Sequence, residues 1–493
     1  MNSDTSTLQQ RPSGVPGLDR LLNGGFVDGR LYLVLGEPGT GKTTLGMEFL
    51  SAGLERDETV LLIHGEESKG GHLTNAAQFD IDLSDAEFLD IGPESEFFSE
   101  AQTYDVVDPA DIEDDSLIVD IRDTIDELDP DRVLIDPITQ FQYLESTEYQ
   151  FRKRIISFAR FLKDRGTTVL ATKTPESQFD EQLKSLSDGV VSLAYEQEGR
   201  RVSVPKHRGI GQRDGTHGLE IRDDGLHVYP ALRPQQHSQS FEPMPLTSGV
   251  DGLDELLGGG IEQGTVTIVS GPSGVGKTTT VTEFLQTAAT EGDGALAYLF
   301  EESLDTFTYR SETFGVPVTE LREDGSLSVE AITPSVRSPE EFAQRIRRQV
   351  EQQDIDLVVL DGIQGYKTAI KGGEDDVDLR RRLHALSEYL TNVNVSVILI
   401  DQRHEVTGLP QPTSANVSYL ADNIIYQQFV EIEGELQRVV GVLKKRVGNY
   451  ETVPRRFSIT DDGLSVGDPM TGYHGVVTGL PEQRSVGSHS SPD

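Results

Sequence analysis

The sequence predicts an α/β protein of two tandem domains, each a mostly parallel twisted sheet flanked by helices. A chain of 493 residues is too long for one ordinary domain and suits two of about 230 residues. The octet GEPGTGKT at 36–43 has a second copy, GPSGVGKT, at 271–278. Short apolar runs then alternate with helical stretches in the same order in both halves, which is typical of parallel sheets covered on both faces.

Both octets fit the pattern G-x-x-x-x-G-K-[S/T] of a phosphate-binding loop, or P-loop. Glycines let backbone N–H groups point at the phosphates, and the following helix adds the positive end of its dipole. The lysine reaches the β- and γ-phosphates and the hydroxyl after it ligates Mg²⁺. The expected ATP-binding residues are Gly36, Gly39, Thr40, Gly41, Lys42, Thr43 and Thr44, and Gly271, Ser273, Gly274, Val275, Gly276, Lys277, Thr278 and Thr279.

Strands and helices follow each octet in a repeated order. In the first half, strands are expected at 59–68, 132–136, 167–173, 189–196 and 201–209, and helices at about 115–129 and 148–165. In the second half, strands are expected at 295–303, 357–361, 395–402, 423–434 and 437–446, and a long helix near 375–392. The repeat therefore extends well beyond the octets.

The repeat also sets the domain boundaries. SGVPGLDRLLNGGF at 13–26 matches SGVDGLDELLGGGI at 248–261, with the same offset that separates the two octets. The segment between the halves is polar and punctuated by proline, as linkers are. We predict a flexible N-terminus at 1–11, a first domain at 12–232, a linker at 233–245, a second domain at 246–470 and a flexible tail at 471–493.

The composition limits the classes of function. A net charge of −40 repels nucleic acid and anionic membranes, so we expect neither as a partner. The acid-rich, lysine-poor balance is similar to that of proteins from salt-loving organisms. Cysteine is absent, which excludes disulfides and thiolate chemistry. No apolar run approaches the length of a membrane-spanning helix, so we expect a soluble, cytoplasmic protein.

Asp136 and Asp361 each end an apolar strand. In nucleotide-binding domains this is the position of the carboxylate that completes the Mg²⁺ shell opposite the P-loop hydroxyl. We therefore predict Mg²⁺ ligands at Thr43 and Asp136 in the first half, and at Thr278 and Asp361 in the second.

Paired acids follow the second strand of each half, Glu66 and Glu67 first, then Glu301 and Glu302. We expect this strand to neighbour the P-loop strand, so that one carboxylate orients or deprotonates a water or hydroxyl that attacks the γ-phosphate. Adjacent residues on an extended chain point oppositely, so one of each pair should face the phosphates. The alternative is a solvated acidic turn.

Basic pairs occur on a late strand of each half, Lys206 with Arg208 and Lys444 with Arg446. A spacing of two puts both side chains of a pair on one face. We predict that they act in trans on the γ-phosphate of a neighbouring subunit. The alternative is an edge-strand charge that discourages aggregation.

These motifs together resemble the KaiC family of two-domain ATPases and autokinases in the RecA/RadA superfamily. The resemblance covers roughly residues 12–466, and its most specific part is 417–446. It implies two RecA-like P-loop domains and a double-ring homo-hexamer with ATP and Mg²⁺ at the subunit interfaces. It also implies hydrolysis by the first domain and phosphorylation of a Ser-Thr pair by the second.

Ser418 falls on the phosphorylated serine of that family, four residues before Asp422. Tyr419 stands where the threonine belongs, and a tyrosine is too long to replace it, so we expect a single phosphosite. Lys184 and Ser185 hold the equivalent places in the first half. The alternative for Ser418 is a plain loop hydroxyl.

Three functions fit these residues. The first is an ATP-hydrolysing, self-phosphorylating signalling hexamer that acts on an unidentified protein partner. The second is a RecA/RadA-like DNA-dependent ATPase whose loops near 362–375 and 402–418 would contact DNA, although these loops carry few net positive charges. The third is a nucleotide-gated scaffold without significant turnover. The family's activator-binding C-terminal segment has no clear counterpart at 471–493, so a clock role is not assumed.

Overall fold

A computed structural model describes residues 8–92, 116–142, 148–175, 179–196, 199–233, 244–292, 294–332, 338–369, 376–403, 413, 417–461, 463–478 and 481–483. The chain divides into two compact units, Met1–Ala231 and Leu232–Asp493. The two-domain α/β prediction is therefore confirmed, and each unit is built around its own sheet. Most of the linker expected at 233–245 lies outside the described residues.

The first domain alternates strands and helices as far as its late strands. Its strands are β1 (Gln10–Arg11), β2 (Phe26–Val27), β3 (Leu31–Gly36), β4 (Val60–His64), β5 (Glu87–Asp90), β6 (Arg132–Asp136), β7 (Thr168–Lys173), β8 (Gly189–Glu196), β9 (Gly199–His207), β10 (His217–Arg222) and β11 (Gly225–Tyr229). Its helices are α1 (Pro16–Leu21), α2 (Lys42–Leu54), α3 (Lys69–Ala77), α4 (Ser116–Leu128), α5 (Glu148–Asp164) and α6 (Phe179–Leu186), with a 3₁₀ turn at Ile138–Gln142.

The second domain repeats this order. Its strands are β12 (Pro245–Leu246), β13 (Ile261–Glu262), β14 (Val266–Pro272), β15 (Gly294–Leu299), β16 (Leu327–Ala331), β17 (Ile355–Asp361), β18 (Ser396–Arg403), β19 (Asn423–Ile432), β20 (Glu435–Lys445), β21 (Arg455–Thr460), β22 (Gly463–Pro469), β23 (Tyr473–His474) and β24 (Glu482–Gln483). Its helices are α7 (Asp251–Leu256), α8 (Lys277–Glu291), α9 (Leu304–Thr313), α10 (Val318–Glu323), α11 (Pro339–Gln352), α12 (Ile363–Ala369) and α13 (Asp376–Asn392).

Each domain has one large sheet of nine strands within the described chain, and the two sheets share one topology. The first sheet runs β11-β10-β9-β8-β3-β7-β6-β4-β5, and the second runs β16-β15-β17-β18-β14-β19-β20-β21-β22. The strands from β8 to β5 are parallel, and β9, β10 and β11 extend the sheet antiparallel. The second sheet has the same division between β19 and β20.

The observed strand order corrects one expectation about the acidic pairs. The strand that precedes Glu66 is β4, and β7 and β6 separate it from the P-loop strand β3. In the second domain, β18 and β17 likewise separate β15 from β14. The prediction that this strand neighbours the P-loop strand was wrong, because strands consecutive in the chain need not pair when helical crossovers join them.

The parallel strands are buried on both faces, which explains their unbroken apolar runs. In β4, Val60 and Leu62 join the core on one face of the sheet, while Leu61 and Ile63 join the core on the other. Consecutive side chains of a strand point to opposite faces, so each face needs its own layer of helices. The second domain has the same pair of cores.

Some described residues near both ends of the chain pack against the domains. Arg11, expected in a flexible N-terminus, belongs to β1 and forms ion pairs with Asp28, Glu58 and Asp131. Beyond the expected end of the second domain, Val476 is buried against Val430 and Val439, among others. Within the segment from residue 471, predicted as a flexible tail, this described side chain therefore packs on β19 and β20. None of the described helices combines the length and apolar character needed to span a bilayer.

Candidate active sites

The two octets form equivalent loops between a strand and a helix. β3 ends at Gly36 and α2 begins at Lys42, while β14 leads into α8, which begins at Lys277. Gly41 and Gly276, the residues before each helix, have φ values of 102° and 116°, a region that favours glycine. Each loop therefore turns sharply enough to aim the first N–H groups of the helix into one concavity.

The octet lysines bend back over their own loops. Lys42 Nζ donates to the Gly36 carbonyl at 2.7 Å, and Lys277 Nζ donates to the Pro272 carbonyl at 2.8 Å. Burial lowers the pKa of both lysines, while Asp136 acts to raise it for Lys42 and Asp361 for Lys277. Each ammonium group is therefore held at the loop and close to the acid that ends β6 or β17, the second strand along the sheet from the P-loop strand.

The second domain brings the two predicted Mg²⁺ ligands together. Thr278 Oγ1 donates to Asp361 Oδ1 at 3.4 Å. Burial, and then the nearby Glu302 carboxylate, raise the pKa of Asp361 to about 7. Hydroxyl and carboxylate oxygens are the donors that Mg²⁺ prefers, and a divalent cation would relieve the unfavourable burial of this acid. These two residues therefore fit Mg²⁺.

The first domain holds its strand-end acid differently. Asp136 ends β6, is buried, and accepts a hydrogen bond from Thr172 Oγ1. Strand registers make Ile400 the equivalent of Thr172, since Val34 pairs with Thr172 and Val269 pairs with Ile400. The extra hydroxyl is a local difference between the two sites.

The members of each acidic pair have different surroundings. Glu66 is exposed and accepts a hydrogen bond from Gln140 Nε2 at 3.2 Å. Glu67 turns to α3, where Asn75 Nδ2 donates to its Oε1 at 2.6 Å. Glu66 is also close enough to Lys42 to act on the pKa of that lysine.

The second pair repeats this division. Glu301 is exposed and accepts from the Gly365 N–H at 3.3 Å, at the start of α12. Glu302 is held by both terminal nitrogens of Arg310, each at 2.8 Å. Asn75 and Arg310 occupy equivalent positions in the repeat. In each domain, the residue at this position therefore binds the second acid of the pair. That arrangement leaves Glu66 and Glu301 as the acids available to a substrate.

In the second domain, these groups line one cavity of about 380 Å³. Lys277, Thr278, Glu301 and Asp361 contribute to its wall, together with Arg310, Gln402 and Arg438, which the sequence analysis did not predict. The cavity therefore joins the P-loop, the metal-ligand pair and one acid of the acidic pair.

Arg200 and Arg438 are functional candidates that sequence reasoning missed. Arg200 Nε donates to the Gly39 carbonyl of the first octet at 3.2 Å, and Arg438 lines the cavity of the second. Each lies near an aromatic ring of the adjacent strand, Tyr195 at 5.4 Å and Phe429 at 5.8 Å. The signal was present as an arginine and an aromatic residue at equivalent late-strand positions in both halves.

The basic pairs lie at the other edge of each sheet. Lys444 Nζ donates to the Ser418 carbonyl at 3.2 Å, and Arg446 Nη2 donates to the Tyr419 carbonyl at 3.3 Å. In the first domain, Lys206 Nζ donates to the Lys184 carbonyl at 2.6 Å, and Arg208 Nη2 donates to the carbonyl of Ser185 at 3.3 Å. Both residues of each pair thus donate to backbone carbonyls of one segment, which is the last turn of α6 in the first domain and the turn at 418–420 in the second.

Ser418 shares this opposite edge. The loop that carries it ends at Asp422, whose N–H donates to the carbonyl of Val266, the first residue of β14, at 2.7 Å. The octet begins near the other end of that strand, at Gly271. Five residues of strand separate the two points by roughly 16 Å. Ser418, Lys444 and Arg446 are therefore remote from the P-loop of their own domain.

The fold and the loops define a protein of two nucleotide-binding P-loop domains with the RecA-like architecture. A family model described as "ATPase: KaiC" matches residues 11–233 and 246–471. The chain belongs to the KaiC family of ATPases. The resemblance indicated by its sequence motifs is thereby confirmed.

Curated relatives align with almost the whole chain. "Circadian clock oscillator protein KaiC 1" of Synechocystis sp. is 27% identical over 98% of this chain and 94% of its own length. The protein of Thermosynechococcus vestitus named "Circadian clock oscillator protein KaiC" is 27% identical over 98% of this chain and 93% of its own. The protein of that name from Synechococcus elongatus is 26% identical over 99% and 95%.

Proposed function

We propose that this protein is a regulatory ATPase that forms homo-hexamers, hydrolyses Mg-ATP at its subunit interfaces and phosphorylates its own Ser418. One observation carries the proposal. The octet and acids of each domain lie at one edge of its sheet, and the basic pair lies roughly 16 Å away along the P-loop strand at the other edge. A complete site therefore needs two copies of the chain.

The residues divide the chemistry between the two copies. One copy contributes the P-loop, the Thr278–Asp361 pair and Glu301, and its neighbour contributes Lys444 and Arg446. ATP with Mg²⁺, when bound, supplies the phosphoryl group and neutralises its developing charge. In the proposed transfer, Glu301 would accept the proton of the attacking hydroxyl, whose oxygen bonds to the γ-phosphorus as the β–γ P–O bond breaks and ADP leaves. The two cations would balance the charge on the γ-phosphate.

Ser418 is the proposed acceptor in the second domain. It is half-buried, in a loop anchored by the same cations that would approach the neighbour's γ-phosphate. The first domain has Lys184 at the equivalent place, which supports hydrolysis by water there. Tyr419 is 51% exposed, with its ring 6.2 Å from that of His384, so its hydroxyl-bearing ring lies beside α13 at the surface of the domain.

The competing DNA-dependent ATPase has weaker support. Of the two segments expected to contact DNA, residues 363–369 form helix α12, and Arg403 is a buried residue of β18. Residues 370–375 and 404–412 lie outside the described residues. The net charge of −40 opposes non-specific DNA binding as well.

The decisive experiment is incubation with γ-labelled ATP and Mg²⁺, followed by phosphosite mapping and an assay of released phosphate. The label is expected on Ser418, to be lost in Ser418→Ala and Lys277→Ala, and to persist in the matched variant Lys42→Ala. Phosphate release without label would reduce the proposal to an ATPase. ATP-dependent binding of single-stranded DNA that survives high salt would refute the regulatory function, and absence of both release and label would leave only a scaffold.

A further inference from the structure

The first domain contains a cleft that its ATP site does not explain. We call it the basic cleft, a cavity of about 160 Å³ whose lining includes Arg30, Arg160, Lys163, Arg208 and Asp188. It lies where β3 and β7 begin and α5 ends, since Leu31, Val169 and Ile156 also line it. It is thus at the sheet edge opposite the octet of its own domain.

The cleft concentrates positive charge in a strongly acidic protein. Among the described residues that line it, Asp188 is the one carboxylate. Lys163 Nζ and Arg208 Nη1 share its Oδ1 at 3.7 and 3.8 Å, and their side chains are more than half exposed. Arg30 Nη1 donates to the backbone carbonyl of Arg208 at 2.8 Å, a contact that leaves its charge uncompensated. Four cations around one acid repel each other unless an anion joins them.

The second domain supplies an internal comparison. The two domains can be aligned residue by residue at this edge. Leu31 pairs with Val169 in the first sheet as Val266 pairs with Val397 in the second, and the helices α5 and α13 are both 17 residues long. The equivalents of Arg30, Arg160, Lys163 and Arg208 are therefore Thr265, Glu388, Thr391 and Arg446. Of these four positions, Arg446 alone keeps a cation, and it pairs with Asp422 at 3.1 Å, while an acid replaces Arg160. The duplication therefore kept the fold of this edge but not its charge.

We propose that the basic cleft binds a phosphate group. Phosphate carries up to two charges on three oxygens, which suits several guanidinium donors better than a single carboxylate would. Chloride is a single spherical acceptor, so it cannot engage the planar, two-donor forks of Arg30, Arg160 and Arg208 as phosphate oxygens can. The acidic remainder of the chain disfavours a long polyanion such as DNA.

The phosphate has two possible sources. One is free inorganic phosphate. The other is the γ-phosphate of ATP held by the first octet of a neighbouring copy, and this source rests on the proposed function. In that case Arg30, Arg160 and Lys163 join Lys206 and Arg208 at the first-domain interface, and the second domain lacks these three cations.

The test uses Arg160→Glu, which installs the residue of the second domain, and the milder Arg160→Gln. Arg322→Glu, at an exposed position of α10 in the second domain, is the matched control. Unfolding curves without phosphate, at fixed KCl, verify that each variant is folded. Binding of inorganic phosphate is measured by calorimetry in a Lys42→Ala/Lys277→Ala background, where both octets are disabled. Hydrolysis and ATP-dependent assembly are measured in Lys277→Ala, which isolates the first domain.

Free phosphate as the ligand predicts binding that Arg160→Glu weakens by about tenfold or more. The neighbour's γ-phosphate as the ligand predicts no such binding, but a loss of about tenfold or more in ATP-dependent assembly or in kcat/KM. If Arg160→Glu matches Arg322→Glu in both assays, the proposal is overturned. Arg160-dependent phosphate binding without any ATP hydrolysis would uphold the cleft and refute the proposed function instead.

Discussion

At the scale of single residues, the duplicated positions show where the two halves diverged in chemistry. His64 and His72 are buried in the first domain with their ring centroids 5.1 Å apart. The equivalent positions of the second half are Leu299 and Phe307, which belong to the apolar core of that domain. His64 lies directly before the Gly65-Glu66-Glu67 turn. A titratable pair thus replaces an apolar one beside the candidate acids.

This difference predicts a pH-dependent stability of the first domain. Burial lowers the pKa of His64 from its ordinary 6.5, opposed by Asp90 and assisted by His72. The unfolded chain therefore binds more protons just below pH 6.5, so stability falls as the pH drops through that value. In the double variant His64→Leu/His72→Phe, we expect most of this decrease in the free energy of unfolding to disappear. Denaturant unfolding at pH 7.5 and 5.5 measures it.

His384→Leu is the matched control, because the side chain of His384 is 56% exposed. Its unfolding free energy should change with pH as that of the unmodified chain does. An unchanged pH dependence in the double variant would contradict a contribution from the lowered pKa of His64.

The buried carboxylate of Asp361 is expected to lower the stability of the nucleotide-free protein, although Mg²⁺ binding needs it. Its pKa is raised to about 7 by burial and by Glu302, so the folded protein binds more protons than the unfolded chain between about pH 4 and 7. Stability therefore decreases as the pH rises through that window. Asp361→Asn should raise the free energy of unfolding of the nucleotide-free protein by on the order of 2 kcal/mol at pH 8, and by little at pH 4.

The same substitution should abolish the Mg²⁺ dependence of nucleotide binding in the second domain, since a carboxylate ligand is lost. Thr278→Val separates the two effects, because it also removes a metal ligand but leaves the buried acid in place. It should lose Mg²⁺-dependent binding with no gain in stability. A destabilised Asp361→Asn protein at pH 8 would contradict this account.

At the scale of elements, local patterns were predictable and long-range pairings were not. The helices expected at 115–129, 148–165 and 375–392 are Ser116–Leu128, Glu148–Asp164 and Asp376–Asn392, because periodic apolar positions specify a helix locally. Two strands lie between β3 and β4 in the sheet, and this order depends on helical crossovers between distant segments, which local patterns do not specify. Arg200 was missed for the same reason, since only the folded sheet brings it to the Gly39 carbonyl.

The turn between β15 and α9 predicts different roles for its two acids. Glu301 faces the cavity, whereas Glu302 is clamped by Arg310. Glu301→Gln should reduce phosphoryl transfer by about 10²- to 10⁴-fold with nucleotide binding retained, as expected for loss of a general base. Glu302→Gln should mainly lower stability, because it weakens a half-buried ion pair and leaves the Arg310 charge less balanced.

Steady-state kinetics in a Lys42→Ala background, together with thermal unfolding, would measure both variants on the second domain alone. The same comparison of Glu66→Gln with Glu67→Gln in a Lys277→Ala background provides the matched pair in the first domain. Equal losses of kcat from both acids of a pair would contradict the assignment.

At the scale of the whole molecule, the split between sheet edges predicts that phosphorylation passes between chains. A Ser418→Ala chain retains its octets and Glu301 but has no acceptor, and a Lys277→Ala chain retains Ser418 but has a disabled second octet. Neither should label itself with γ-labelled ATP. After mixing under conditions that allow subunits to exchange, label should appear on Ser418 of the Lys277→Ala chain. A tag on one chain would distinguish the two by mass.

The amount of label tests the same arrangement. In a hexamer assembled at random from equal amounts of the two chains, about a quarter of the interfaces join the octet of a Ser418→Ala chain to the Ser418 of a Lys277→Ala chain. The label should therefore reach roughly a quarter of that of the unmodified protein. A Lys277→Ala/Ser418→Ala chain in place of the first partner controls for label carried by the tag, and should give none. Label on Ser418 in an unmixed, dilute monomer would show that the loop bends back to its own octet, against the roughly 16 Å of β14 that separates them.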